Sequence, residues 1–149
     1  ELYPKIAPNH VKRFETLANE GKYDGVVFHR VIEGFMAQSG DVKYGKTSSP
    51  EFNLDLAGTG GSELPDLKAE FSDVAHNRGV LSMARSADPN SANSQFFIIF
   101  EAAPHLDRQY SAFGKVTKGI ELIDNIKRGD GANGSVENPD KIISLRSKK

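Results

Sequence analysis

Cysteine is absent from the 149 residues. That excludes disulfides, thiolate nucleophiles and cysteine-ligated metals. No apolar run approaches the length of a membrane span. Neither sign of charge dominates: 19 basic and 20 acidic residues leave a net charge of -1. A general nucleic-acid or membrane-surface binder needs a basic excess, so neither partner is expected. The basic end Arg146-Ser147-Lys148-Lys149 is short enough to be a solvated terminus.

Catalytic signatures are missing too. None of the four histidines, His10, His29, His76 and His105, has a partner at metal-ligand spacing. There is no GxSxG element and no pair of catalytic acids, so hydrolase chemistry is poorly supported. Gly58-Thr59-Gly60-Gly61 lacks the Gly-Lys-Ser/Thr end of a phosphate loop. The stretch Asp130 to Ser135 fails the calcium-loop pattern at Ala132. The sequon Asn133-Gly134-Ser135 is read as chance. No metal and no cofactor are expected. No signal peptide is visible, and the cytoplasm is the expected compartment, with the periplasm as the alternative if a signal was trimmed. The sequence opens without methionine at Glu1-Leu2-Tyr3, which reads as the end of a strand, so the native start is expected upstream.

What is present is an ordinary globular composition, 38% hydrophobic and 26% charged. It suits one domain spanning residues 1–149 around one packed core. Residues Ile6 to Gly21 read as a first helix, with Pro8 in the first turn and Gly21 as its stop. Val11, Phe14, Leu17 and Ala18 follow helical spacing and face the core. Strands are predicted at Val26–Ile32, Phe35–Asp41, Gly79–Arg85, Ser94–Phe100, Ser111–Thr117 and Lys141–Arg146, with a short one at Phe52 and Leu54. Gly119–Arg128, with Ile120, Ile123 and Ile126 on one side, reads as a second helix. Ser86–Asn93 and Gly129–Asn138 read as loops. So does most of Val42–Lys68, a length more typical of functional loops than of linkers. Short strands punctuated by Gly and Pro, with two helices, favour a mainly antiparallel sheet closed into a barrel.

The chemistry concentrates around Phe28 to Asp41, two strands hinged at Glu33-Gly34. One carries the cation Arg30; the other offers Phe35, Met36 and the amide Gln38. The strand Ser94 to Ile99 repeats the combination, because alternation puts Gln95 and Phe97 on one face. Two strands that each present an aromatic and an amide favour a pocket over pure core. For Arg30 itself two readings stand level: a site cation, or a structural arginine that snorkels or pairs with Glu33 or Asp41. His29 reads as a hydrogen-bonded structural residue. His105, in a loop, reads equally as pocket wall or surface.

Four stretches taken together carry a resemblance: Phe28 to Asp41, Gly58 to Gly61, Leu81-Ser82-Met83-Ala84-Arg85, and Asn93-Ser94-Gln95-Phe96-Phe97-Ile98. With Phe113-Gly114-Lys115-Val116 after them, they resemble the cyclophilin family of peptidyl-prolyl cis-trans isomerases, in order over nearly the whole chain. The resemblance implies a mainly β fold: a closed eight-stranded antiparallel barrel capped by two α-helices, with only the end of the first hairpin present here. It implies an enzyme that rotates X-Pro bonds and assists folding. Arg30 matches the catalytic arginine. Phe35, Met36, Phe97 and Leu106 match the proline pocket, and Gln38 the amide that fixes the substrate backbone. Ala84 and Gln95 match groove positions. Arg85 stands where many members have a backbone-contacting Asn. Thr59, Ser86 and Ser91 fall near a secondary pocket for residues before the proline.

Two residues depart from the eukaryotic pattern and point to a bacterial-type member. His105 replaces a Trp before the pocket leucine, which puts tight cyclosporin binding in doubt. Tyr110 replaces a common His but keeps an aromatic ring. The implied partners are proline-containing peptides and folding proteins, met by a monomer. A competing reading, a module that holds Pro-containing segments with little turnover, is disfavoured by Arg30, since a pure binder needs the pocket but not the polarising group.

Overall fold

The computed structural model describes residues 1–148. Five strands form one antiparallel sheet: β1 (Arg30–Ile32), β2 (Met36–Ser39), β3 (Val80–Met83), β4 (Phe96–Ile99) and β5 (Ala112–Lys115), in the spatial order β1-β2-β4-β3-β5. The hinge at Glu33-Gly34 is a tight turn, closed by Phe35 N–H on the Ile32 carbonyl at 3.0 Å. Gly34 takes φ 73° there, a conformation that favours glycine.

The long strands expected from the sequence are cut short. Val26 and Val27 lie outside β1 and make isolated bridges, Val26 to Lys46 and Val27 to Lys141. The expected closing strand from Lys141 to Arg146 reduces to that bridge and neighbouring backbone bonds, such as Ile142 N–H to the Val26 carbonyl at 2.9 Å. Phe52 and Leu54 lie outside any strand. Both sheet edges are extended by irregular pairing. Leu2 bridges Gly114 beyond β5, and Ser135 bridges Arg30 beyond β1. The sheet is not closed by continuous strand pairing.

Helix α1 (Pro8–Asn19) packs Val11, Phe14, Leu17 and Ala18 onto the sheet, as the spacing predicts. Phe14, Tyr23, Phe96 and Phe113 form an aromatic cluster beneath it, with Phe14 5.1 Å from Phe96 and 5.0 Å from Phe113. No residue of its own start caps α1. The cap comes from Glu70, whose carboxylate accepts the N–H groups of Asn9 (3.3 Å) and His10 (2.9 Å). This satisfies donors that a helix start leaves open and suits the positive end of its dipole.

The second helix is not α-helical. Ile120–Asn125 is a six-residue 3-10 helix entered through left-handed Gly119 and left through extended Ile126. Arg128 donates to the Asp124 and Ile126 carbonyls at 2.8 and 2.5 Å, which terminates the segment where an α-helix would continue. A further 3-10 turn, Pro104–Leu106, brings His105 and Leu106 to the sheet.

Candidate active site

Strand register assembles the site. Arg30 lies opposite Gln38, Gln38 opposite Phe97, and Phe97 opposite Ser82. Directly opposed residues share a face, so Arg30, Gln38 and Phe97 project together from three adjacent strands. The groove they border, of about 1060 Å³, is lined by Arg30, Phe35, Met36, Gln38, Thr59, Ala84, Arg85, Phe97, His105, Leu106 and Tyr110. All the residues proposed from the sequence are therefore brought together except Gln95, Ser86 and Ser91. The Gln95 side chain opens on an adjoining groove of about 440 Å³, which also holds Ser86 and Ser91. The two grooves share Gln38, Gly58, Thr59, Ala84 and Arg85.

The apolar part is a wall of Met36, Phe97 and Leu106, all buried in one cluster, with Phe35 half-buried against them. The exposed ring of His105 lies 5.5 Å from that of Phe35. Tyr110 meets Phe97 edge-on at 5.7 Å. These pairs fix the ring orientations without filling the groove.

The polar part is a relay. Arg30 Nη1 donates to Gln38 Oε1 at 3.2 Å. Gln38 Nε2 donates to Gln95 Oε1 at 3.0 Å. Gln95 Nε2 donates to the carbonyls of Gly58 and Gly60 at 2.9 and 2.8 Å. The same two glycines give their N–H groups to Asp41 Oδ2, at 2.8 and 2.9 Å. Asp41 is fully buried, and its other oxygen takes the N–H groups of Lys43 and Tyr44. A buried carboxylate satisfied by four backbone donors is stable only in one loop conformation. That conformation presents the Gly58–Gly60 carbonyls to Gln95.

Arg30 has no carboxylate partner among the described residues. Glu33 pairs with Arg128 instead, and Asp41 is taken by the loop. The second anchor of Arg30 is the Asn133 carbonyl, which accepts from Nε at 3.0 Å. That contact spans 103 positions and has no local signature in the sequence. Leu54, Asp55 and the stretch Ser135 to Asn138 also border the groove unforeseen.

His29 departs from its expected role. It lines the groove, and its Nδ1 is buried without a hydrogen-bond partner among the described residues. Burial pushes its pKa down to about 4; Asp41 opposes the shift and Arg30 adds to it. The ring is therefore neutral at physiological pH. Behind Phe97, His76 is buried and stacks on it at 6.4 Å. Its two ring nitrogens meet Asp107 Oδ1 at 3.1 Å and Ser82 Oγ at 2.9 Å. Burial lowers its pKa as well, against the pull of Asp107.

Comparison with known proteins agrees with this arrangement. A sequence model of the family described as cyclophilin type peptidyl-prolyl cis-trans isomerase/CLD matches residues 1–147. A probable peptidyl-prolyl cis-trans isomerase of Brucella suis is 56% identical over 144 residues, 96% of this chain and 73% of that protein. Peptidyl-prolyl cis-trans isomerase B of Bacillus subtilis is 42% identical over 130 residues, 87% of this chain and 82% of its own. Among solved structures, a Cryptosporidium parvum cyclophilin type peptidyl-prolyl cis-trans isomerase, crystallised in the presence of the dipeptide Ala-Pro, superposes with a TM-score of 0.80 at 28% identity, covering 99% of this chain and 91% of that one. The cyclophilin AquaCyp293 from Hirschia baltica gives a TM-score of 0.77 at 29% identity, covering 97% and 67%. The chain belongs to the cyclophilin-type peptidyl-prolyl cis-trans isomerases, and its activity is the cis-trans isomerisation of prolyl peptide bonds.

Proposed function

We propose that Arg30 is the group that lowers the barrier to rotation and that Met36, Phe97, Leu106 and Phe35 hold the proline ring. The observation that carries this is the pairing of a guanidinium without a carboxylate and a preformed apolar wall on neighbouring strands. The X-Pro bond resists rotation through its partial double-bond character, with a barrier of roughly 18–20 kcal/mol. No bond is made or broken, so the enzyme has only to favour the twisted amide over both planar forms. Twisting localises the lone pair on the prolyl nitrogen. Arg30 Nε and Nη1 are committed to Asn133 and Gln38, while Nη2 has no acceptor among the described residues. Nη2 donates to the developing lone pair. The apolar wall disfavours the more dipolar planar amide and strengthens that hydrogen bond.

In this reading Gln38 both steadies Arg30 and contacts the substrate backbone. Thr59, Ala84, Arg85 and Gln95 line the path of the residues before the proline, and His105 and Tyr110 border the ring pocket. The substrates are proline-containing peptides and folding chains. We also propose that the fold is the eight-stranded barrel in its full form. The bridges Leu2 to Gly114, Val26 to Lys46 and Leu67 to Ala92 support this as the traces of the remaining strand pairs.

Exchange NMR on a short proline peptide tests the reading. Saturation transfer between the cis and trans resonances at catalytic enzyme concentrations is expected. Line broadening from binding without accelerated exchange would instead establish a Pro-binding module.

A further inference from the structure

We propose that Arg85 makes this enzyme selective for an acidic residue immediately before the proline. The inference rests on the reading that the peptide runs from the ring pocket into the adjoining groove.

Of the seven arginines, Arg78, Arg108, Arg128 and Arg146 pair with carboxylates, and buried Arg13 donates to carbonyls. Of the three arginines without a carboxylate among the described residues, Arg30 and Arg85 line the groove, whereas Arg13 is buried beneath the loops. Arg30 is accounted for by the reaction; Arg85 is not. Its position is fixed. Nε and Nη2 donate to the Gln109 carbonyl at 3.2 and 2.6 Å, and Nη1 to the Ser86 carbonyl at 2.9 Å. The guanidinium carbon sits 4.4 Å from the centre of the Tyr110 ring. Neutral carbonyls and a ring face orient the cation but leave its net charge uncompensated.

Arg85 lies on the wall that both grooves share, beside Ala84. A peptide that passes between the grooves carries the side chain preceding the proline over this wall. Deeper in the second groove the sign changes: Asp66 lines it and accepts from Asn93 Nδ2 at 3.0 Å. At the first groove's border stand Asp55 and Glu137, neither in an ion pair among the described residues. The attraction for an anion is therefore local, and a net charge of -1 excludes a general pull on acidic peptides. A cation already held in place loses little freedom on pairing, so the contact is more effective than one between mobile side chains.

The test compares kcat/KM for tetrapeptides that differ only at the residue before proline: Glu, Ala or Lys. Wild-type enzyme is expected to prefer Glu over Lys by roughly three- to five-fold, the range of a partly exposed ion pair, and the preference should shrink at high salt. In Arg85→Gln the Glu-to-Lys ratio should fall to about one, and in Arg85→Lys part of it should persist. The ratio is internal to each variant, so a general loss of activity does not obscure it. No preference in the wild type, or one that survives intact in Arg85→Gln, overturns the proposal. Turnover of the Ala peptide reports on the isomerase reading itself, so failure of the two ideas is told apart.

Discussion

Arg30 and Gln38 stand opposite each other on paired strands, and Arg30 Nη1 reaches Gln38 Oε1 at 3.2 Å. The amide therefore limits where the guanidinium can point, and the relay behind it extends that control to Gln95 and the Gly58–Gly60 carbonyls.

If the relay orients the arginine, removing its links should slow the reaction in order of their distance from Arg30. Gln38→Ala is expected to lower kcat/KM by about ten-fold or more, the cost of roughly one to two hydrogen bonds to a charged group. Gln95→Ala should cost less. The double variant should cost less than the sum of the two, because both act through one chain of bonds. Steady-state kinetics on the three variants checks this; strict additivity would show that the amides act independently.

Asp41 offers a stability test. Its four N–H partners hold the loop that shapes the site. Asp41→Ala leaves buried donors unpaired and should cost about 3–5 kcal/mol. Asp41→Asn keeps one acceptor oxygen and should cost less. Urea denaturation measures both.

Three histidines with lowered pKa values predict a pH dependence. His10, His29 and His76 are each held below the usual histidine pKa, chiefly by burial, with His29 at about 4. Between about 6.5 and the lowered values the unfolded chain binds more protons than the folded one, so stability falls as pH falls through this window. For the half-buried His29 ring alone the full loss is about 2 kcal/mol. Tm should drop between pH 7 and pH 5, where most carboxylates remain ionised, and the drop should be smaller in His29→Gln. A Tm independent of pH over that range would contradict the assignment.

His105 governs cyclosporin affinity in this account. The ring is small and exposed, and it lines the groove beside Phe35. Wild-type inhibition is expected to be weak. His105→Trp adds apolar area and an N–H donor and should tighten it by roughly ten-fold, about 1.4 kcal/mol of added burial. Inhibition titrations of both forms decide it.

How far this was legible in the sequence follows from the range of each interaction. Alternation in Phe35 to Gln38 and Ser94 to Ile99 foretold which side chains share a face, because a strand's period is local. The helical spacing of Val11, Phe14, Leu17 and Ala18 did the same for α1. Contacts between distant positions were not legible: Glu70 on the α1 start, the Asn133 carbonyl on Arg30, and the bond from Gln95 to Gly58. The 3-10 form of Ile120–Asn125 was missed because the Ile spacing fits either helix, and Arg128 closes the segment through carbonyls it reaches only after folding. The choice between a structural and a site role for Arg30 needed the partners of Glu33 and Asp41, which lie on other elements.

The measurement closest to the central claim separates binding from rotation in Arg30 variants. Exchange NMR on one proline peptide gives both the dissociation constant and the rate of cis-trans exchange on the enzyme. In Arg30→Ala that rate is predicted to fall by roughly a hundred-fold or more, while peptide affinity, carried by Phe35, Met36, Phe97 and Leu106, changes by only a few-fold. Arg30→Lys should restore little, because an ammonium cannot hold Asn133 and Gln38 and also reach the prolyl nitrogen. An Arg30→Ala enzyme that binds and exchanges like the wild type would contradict the account.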